Sequence, residues 1–189
     1  MSEFFNEGMR HYFDALIAMR DFCREAISTS RTVLMRHREA LGNAVGSFDL
    51  STSSMKNVHI NPDLNPDCQR DWPGTWHWLC VRMAVGNVGE FYFGLSWERD
   101  SDEIRPSAVG TFRFEDATIF DLAQNRFNAL KSDLKPDPHE KEITIRKEIA
   151  AGEEPTFGSK LEQIADEWTR LWERIGGMEG LTRAKQGGA

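Results

Sequence analysis

Thiols are scarce in this chain. Cys23, Cys68 and Cys80 are the only three in 189 residues. An odd count with no CxxC spacing argues against a disulfide framework. Long apolar runs are also missing. None approaches the roughly 18–20 residues that a bilayer span needs, so no membrane role is expected. A basic excess is absent too: the net charge is −7 and the isoelectric point is near 5.3. That balance argues against general nucleic-acid binding, which wants a basic footprint. The first residues, MSEFFNEGMRHYFDAL, lack the layout of a signal peptide. No N-x-[ST] acceptor occurs either, and the expected compartment is the cytoplasm.

Motifs for phosphate and hydrolase chemistry are missing as well. There is no GxSxG, HExxH, GxGxxG or GxxxxGK[ST]. No cofactor and no metal is therefore expected. No internal repeat is visible.

Proline and glycine are nearly absent from residues 2–45, where Gly8 is the only breaker before Gly42. Phe5, Met9, Tyr12, Phe13, Leu16, Ile17, Cys23, Ala26, Ile27, Leu34 and Leu41 recur at helical spacing. A helix of that length would run about 60 Å at ~1.5 Å per residue. It must protrude, kink near Ser28-Thr29-Ser30, or pack on a partner.

Residues 46–75 hold turn formers, with short strands expected near 47–50 and 56–60. WHWLCVRMAV (76–85) is apolar on nearly every residue and reads as a central strand. EFYFGLSWE (90–98) alternates, placing Phe91, Phe93, Leu95 and Trp97 on one face. A polar loop, RDSDEIRPS, precedes a third strand over 108–115. Asp116 is an N-cap for a helix over about 117–131. LKPDPHE is a connection, and KEITIRKEI (141–149) reads as a charged edge strand. SKLEQIADEWTRLWERI (159–175) is strongly amphipathic, with Leu161, Ile164, Trp168, Leu171 and Trp172 on one stripe.

The expected fold class is α+β. It has a long N-terminal helix, a mainly antiparallel sheet of about four to six strands, a middle helix and a C-terminal amphipathic helix. Residues 1–45 form an oligomerisation element, 46–175 an α+β domain and 176–189 a flexible tail.

Helix, three antiparallel strands, helix, strand, helix is an order that resembles the core of the PD-(D/E)xK nuclease-like superfamily. The resemblance implies an acid opening the second core strand and an acid-x-Lys on the third. The two carboxylates would hold Mg²⁺, and the lysine would position the attacking water. Glu90 opens the second strand. The third carries Arg113-Phe114-Glu115 and no acid-x-Lys, while Pro62-Asp63, Pro66-Asp67 and Pro136-Asp137 fall in predicted loops. Glu90 and Glu115 are the carboxylates this alternative would use.

Other patterns have everyday explanations. His59, Asp63, Asp67, Cys68, His77 and Cys80 are all zinc-ligand types. However, His77 and Cys80 stand an odd number of residues apart on a strand and so point to opposite faces. Arg31 and His37 fit the loose R-x(4–6)-H spacing of a class of helical ribonucleases. Trp72, Trp76 and Trp78 are candidates for an aromatic ligand pocket, although tryptophans of this kind usually pack in cores. Glu98, Asp100, Asp102 and Glu103 make a carboxylate-rich loop such as a small acidic inhibitor would present to a basic partner.

The first helix carries the pattern with most content. Glu7, Asp14 and Asp21 are spaced by seven, and so are Arg24, Arg31 and Arg38. Oppositely charged halves favour an antiparallel copy, with Glu7 facing Arg38, Asp14 facing Arg31 and Asp21 facing Arg24 about a centre at residues 22 and 23. The expected function is therefore a non-enzymatic interaction or regulatory protein, a homodimer built through its N-terminal helix.

Overall fold

A computed structural model describes residues 3–46, 56–59, 76–85, 89–100, 103–131, 134–150 and 156–187. Helix α1 (Glu3–Val45) is followed by strands β1 (Lys56–His59), β2 (Trp76–Val85), β3 (Gly89–Asp100) and β4 (Glu103–Phe114). Then come helix α2 (Ala117–Leu130), strands β5 (Lys135–Asp137) and β6 (Glu142–Glu148), and helices α3 (Phe157–Ile175) and α4 (Gly177–Gly187). The six strands form one sheet in the order β1-β2-β3-β4-β6-β5. Every pairing is antiparallel. The α+β class, the long first helix and the antiparallel sheet match the expectation.

Register divides the sheet into two faces. Leu79, Val81 and Met83 of β2 stand opposite Leu95, Phe93 and Phe91 of β3. Phe91 and Phe93 in turn stand opposite Phe112 and Gly110 of β4. This apolar face receives the helices. Trp168 of α3 is fully buried, and its indole N–H donates to the Gly110 carbonyl at 2.9 Å. Its ring meets Phe112 edge-on at 4.8 Å, and Phe127 of α2 closes over it at 5.6 Å. Trp172 is buried one turn on, against Phe112 and Phe127. Stripe period on α3 and alternation on β3 thus produce one aromatic core. Phe93 is buried as expected; Trp97 is only half-buried, because it stands at the far end of β3 among the smaller group of Ala26, Ile27, Leu79 and Leu95.

Local signals fix the helix ends. The Asp116 carboxylate accepts from the Ile119 N–H at 3.0 Å, as the N-cap reading requires. Helix α1 stops at Gly46, whose φ of +84° suits a glycine C-cap and whose N–H donates to the Gly42 carbonyl. The helix does not break at Ser28–Ser30: it is continuous over 43 residues. The Ser30 hydroxyl donates back to the Ala26 carbonyl at 2.7 Å, so its hydrogen bond stays within the helix.

Four expectations need correction. The stretch LKPDPHE, expected as a connection, carries strand β5 over Lys135–Asp137, so Pro136-Asp137 lies on a strand. The polar stretch before residue 108 is not a loop, because β3 and β4 stay paired out to Asp100 and Glu103. Pro106 is tolerated there because it lies just past the Ser107–Glu148 pairing that ends the β6 ladder, and its carbonyl accepts from the Ile149 N–H. Strand β6 is not an edge but lies between β4 and β5. Its charged residues Glu142, Arg146 and Glu148 share the sheet face opposite the helices, while Ile143 and Ile145 are buried on the helix side. The segment 176–189, expected as a flexible tail, carries α4, with Leu181 buried and Lys185 paired to Asp116 at 2.6 Å. The expected strand near 47–50 lies outside the described residues.

Candidate functional site

Two places stand out: the first half of α1 and the end of the sheet where β3 begins and β4 ends.

Helix α1 is two things in sequence. From Ala26 onward, Ala26, Ile27, Val33, Leu34, Leu41, Ala44 and Val45 are buried in the body. Arg36 reaches Glu162 of α3 at 2.5 Å, and the His37 ring sits between Glu162 and Asp166. Before Ala26 no described side chain is buried. Met9, Tyr12, Phe13, Ile17 and Phe22 are 43–54% exposed, and Leu16 and Cys23 are half-buried. Tyr12 and Phe13 touch edge-on at 5.7 Å. Met9, Phe13 and Ile17 form one ridge at spacing four, beside Tyr12 and Leu16. At about 100° per residue Tyr12 and Leu16 continue the stripe that the second half buries, while Met9, Phe13 and Ile17 are turned roughly 55–135° from its middle. The uncovered part of the helix runs some 30 Å, at ~1.5 Å per residue.

Of the six interface candidates, Glu7, Asp14, Asp21, Arg24 and Arg31 are exposed and Arg38 is half-buried. Asp21 pairs with its neighbour Arg20 at 2.8 Å. Glu7, Asp14 and Asp21 stand roughly 110–150° around the helix from the middle of the Met9–Ile17 stripe, whereas Arg24, Arg31 and Arg38 stand within about 50° of it.

At the sheet end, Glu90 stands opposite Arg113 in the β3–β4 register. A cavity of about 300 Å³ is lined by Gly89, Glu90, Arg113, Phe114, Glu115 and Lys141. The fold does bring Glu90 and Glu115 to one hollow, but in company that opposes a metal. Glu90 accepts from the Tyr92 hydroxyl at 2.6 Å and pairs with Arg82 at 3.3 Å. Arg113 binds Glu140 at 2.6 Å and stands 3.9 Å from Glu142. The Lys141 ammonium donates to the Glu115 backbone carbonyl at 2.7 Å. Burial pushes the Glu142 carboxyl up, against the pull of Arg113. Burial and the Glu90 hydrogen bond likewise raise the Tyr92 phenol. Two cations line the wall between two carboxylates, so the lining carries no net negative charge of the kind that converging carboxylates would offer Mg²⁺. Among the described residues no three His, Cys, Asp or Glu side chains come together to hold a metal ion. Arg113 and Lys141 escaped the sequence reading because their place follows from strand register and from the turn before β6.

The remaining candidates scatter. Cys80 is buried, its thiol raised by burial and turned to the Leu95 carbonyl. Asp63, Asp67, Cys68 and Trp72 lie outside the described residues, as do the side chains of His59, His77 and Trp76. Trp78 is half-buried on the face opposite the helices and meets Tyr92 edge-on. The acidic run at Glu98, Asp100, Asp102 and Glu103 has no described side chains. His37 is held by two carboxylates of α3, so Arg31 and His37 do not face a shared cleft.

No protein-family model, no curated protein and no solved structure matches the chain. No helix of the described residues is long and apolar enough to cross a membrane.

Proposed function

We propose that this protein is a non-enzymatic interaction module that self-associates through the first half of helix α1. The observation that carries this reading is the uncovered stripe of Met9, Tyr12, Phe13 and Ile17, each near half exposed. Large apolar side chains in a row on a projecting helix are costly in water and are what helical partners bury. A second copy is the favoured occupant because the helix carries acids in its first half and bases in its second, which an antiparallel copy satisfies. Since Glu7, Asp14 and Asp21 point away from the stripe, the charges act as a field that orients the copies. Exposed charges of this sort contribute only ~0.2–1 kcal/mol each, so the apolar ridge supplies the affinity.

Replacing Phe13 and Ile17 together by aspartate should leave a monomer in light scattering. The thermal melt should stay close to that of the parent, because neither residue belongs to the core. A double variant that keeps the parent's mass would refute the role assigned to the stripe.

A further inference from the structure

We infer that α4 is a strap that opens on its own hinge while the rest of the fold stays closed, and that Lys185 latches it to Asp116.

The joint is a pair of glycines. Gly176 and Gly177 both hold positive φ, +78° and +61°, a region that glycine enters without strain. Helix α4 itself has 11 residues, three of them glycine. A helix shorter than roughly 12–15 residues is marginal in water, so α4 keeps its form only while docked. Its grip is narrow. Leu181 is its one fully buried side chain, and Met178 packs half-buried against the same core. Gly177 lies so close to the end of α1 that a β-carbon on it would come within 2.7 Å of the Ala44 carbonyl oxygen. Among the described residues a single ion pair joins α4 to the body, Lys185 with Asp116 at 2.6 Å, and its side chains are 41% and 43% exposed. The pair of Arg183 with Glu179 lies within the helix.

The elements that α4 touches are complete without it. At the end of α3 the Gly176 N–H donates to the Glu173 carbonyl, and Arg126 of α2 donates to the Ile175 carbonyl at 3.1 Å. At the start of α2 one oxygen of Asp116 accepts from the Ile119 N–H, and only the other takes Lys185. Departure of α4 therefore uncaps neither helix and breaks no strand pairing. It bares one seat, where α1, α2 and α3 all meet α4. Elements held by so few buried groups are the low-stability units of a fold. The closed and open forms differ by one helix, and salt shifts their balance because an exposed ion pair is screened.

Native-state amide hydrogen exchange of the full chain tests this. The α4 amides should be protected, yet exchange well before those of α3 and β4. Low urea should leave their rate unchanged, since a local opening exposes little surface. Lys185→Ala should speed α4 exchange about twofold to fivefold. Added salt should speed it in the parent and not in that variant. Leu181→Ala should speed it at least about thirtyfold, with the α3 amides keeping the parent's rate. Exchange of α4 only together with α3 would overturn the strap. So would a Leu181→Ala chain that loses its fold, or that speeds α3 as much as α4, because α4 would then be an integral part of the core. An α4 rate that Lys185→Ala leaves unchanged would overturn the latch.

Discussion

Replacing Trp168 with alanine should cost about 3–5 kcal/mol of folding stability, the range for deleting a large buried aromatic. The indole is fully buried and touches all three layers of the core. It stacks edge-on against Phe91 and Phe112 of the sheet, and Phe127 of α2 packs against it. Deletion leaves a void between α3 and the sheet that backbone-held neighbours cannot fill. It also leaves the Gly110 carbonyl without the indole N–H. Stability of an ordinary domain is only about 5–15 kcal/mol, so the variant should be near the edge of folding. Urea melts would show this as a large drop in midpoint. A loss below ~1 kcal/mol would mean that α3 does not dock as described.

The converse change, adding bulk on the facing strand, should also be severe. Gly110 sits where α3 comes closest to the sheet. A β-carbon there would lie 2.6 Å from the Ile164 side chain and 3.0 Å from the Trp168 indole nitrogen. Neither neighbour has room to retreat, because both are fully buried. Gly110→Val should therefore cost at the upper end of the ~1–3 kcal/mol usual for overpacking, or more. The variant should also lose near-ultraviolet dichroism from the tryptophans, since the indole must leave its pocket. A valine variant with the parent's melting curve and tryptophan signal would contradict this packing.

Local pattern made much of this fold legible. Residues 76–85 are apolar at all but His77 and Arg82, as an inner strand with one face under the helices requires, and their expected limits coincide with the observed strand. The Asp116 cap and the α3 stripe were equally readable, since both depend on residues within a few positions of one another. Misreadings arose where a long-range partner decides. The charges of β6 suggested an edge, yet Glu142, Arg146 and Glu148 mark the face away from the helices and Lys147 pairs with Glu167 of α3. Pro106 suggested a loop, yet it sits where the ladder on one side has just ended. Helix α4 is held by burial of Leu181 and by a lysine pairing with a cap 69 positions earlier, which no local window contains.

The candidate sites follow the same logic. That Glu90 faces Arg113 is a matter of hairpin register, and that register together with the turn before β6 placed Arg113 and Lys141 in the hollow where the nuclease resemblance needed an acid-x-Lys. The heptad spacing on α1 was visible, but the point at which the body stops covering the helix was not. That point, between Arg24 and Ala26, is set by where α3 and the sheet end. It divides the first helix, expected as one oligomerisation element, into a rooted half and an uncovered half.

Sedimentation equilibrium of the unmodified protein tests the central claim most directly. The account predicts a mass approaching twice the 21.6 kDa of one chain at tens of micromolar, falling toward one chain on dilution. A mass of one chain across that whole range would contradict it.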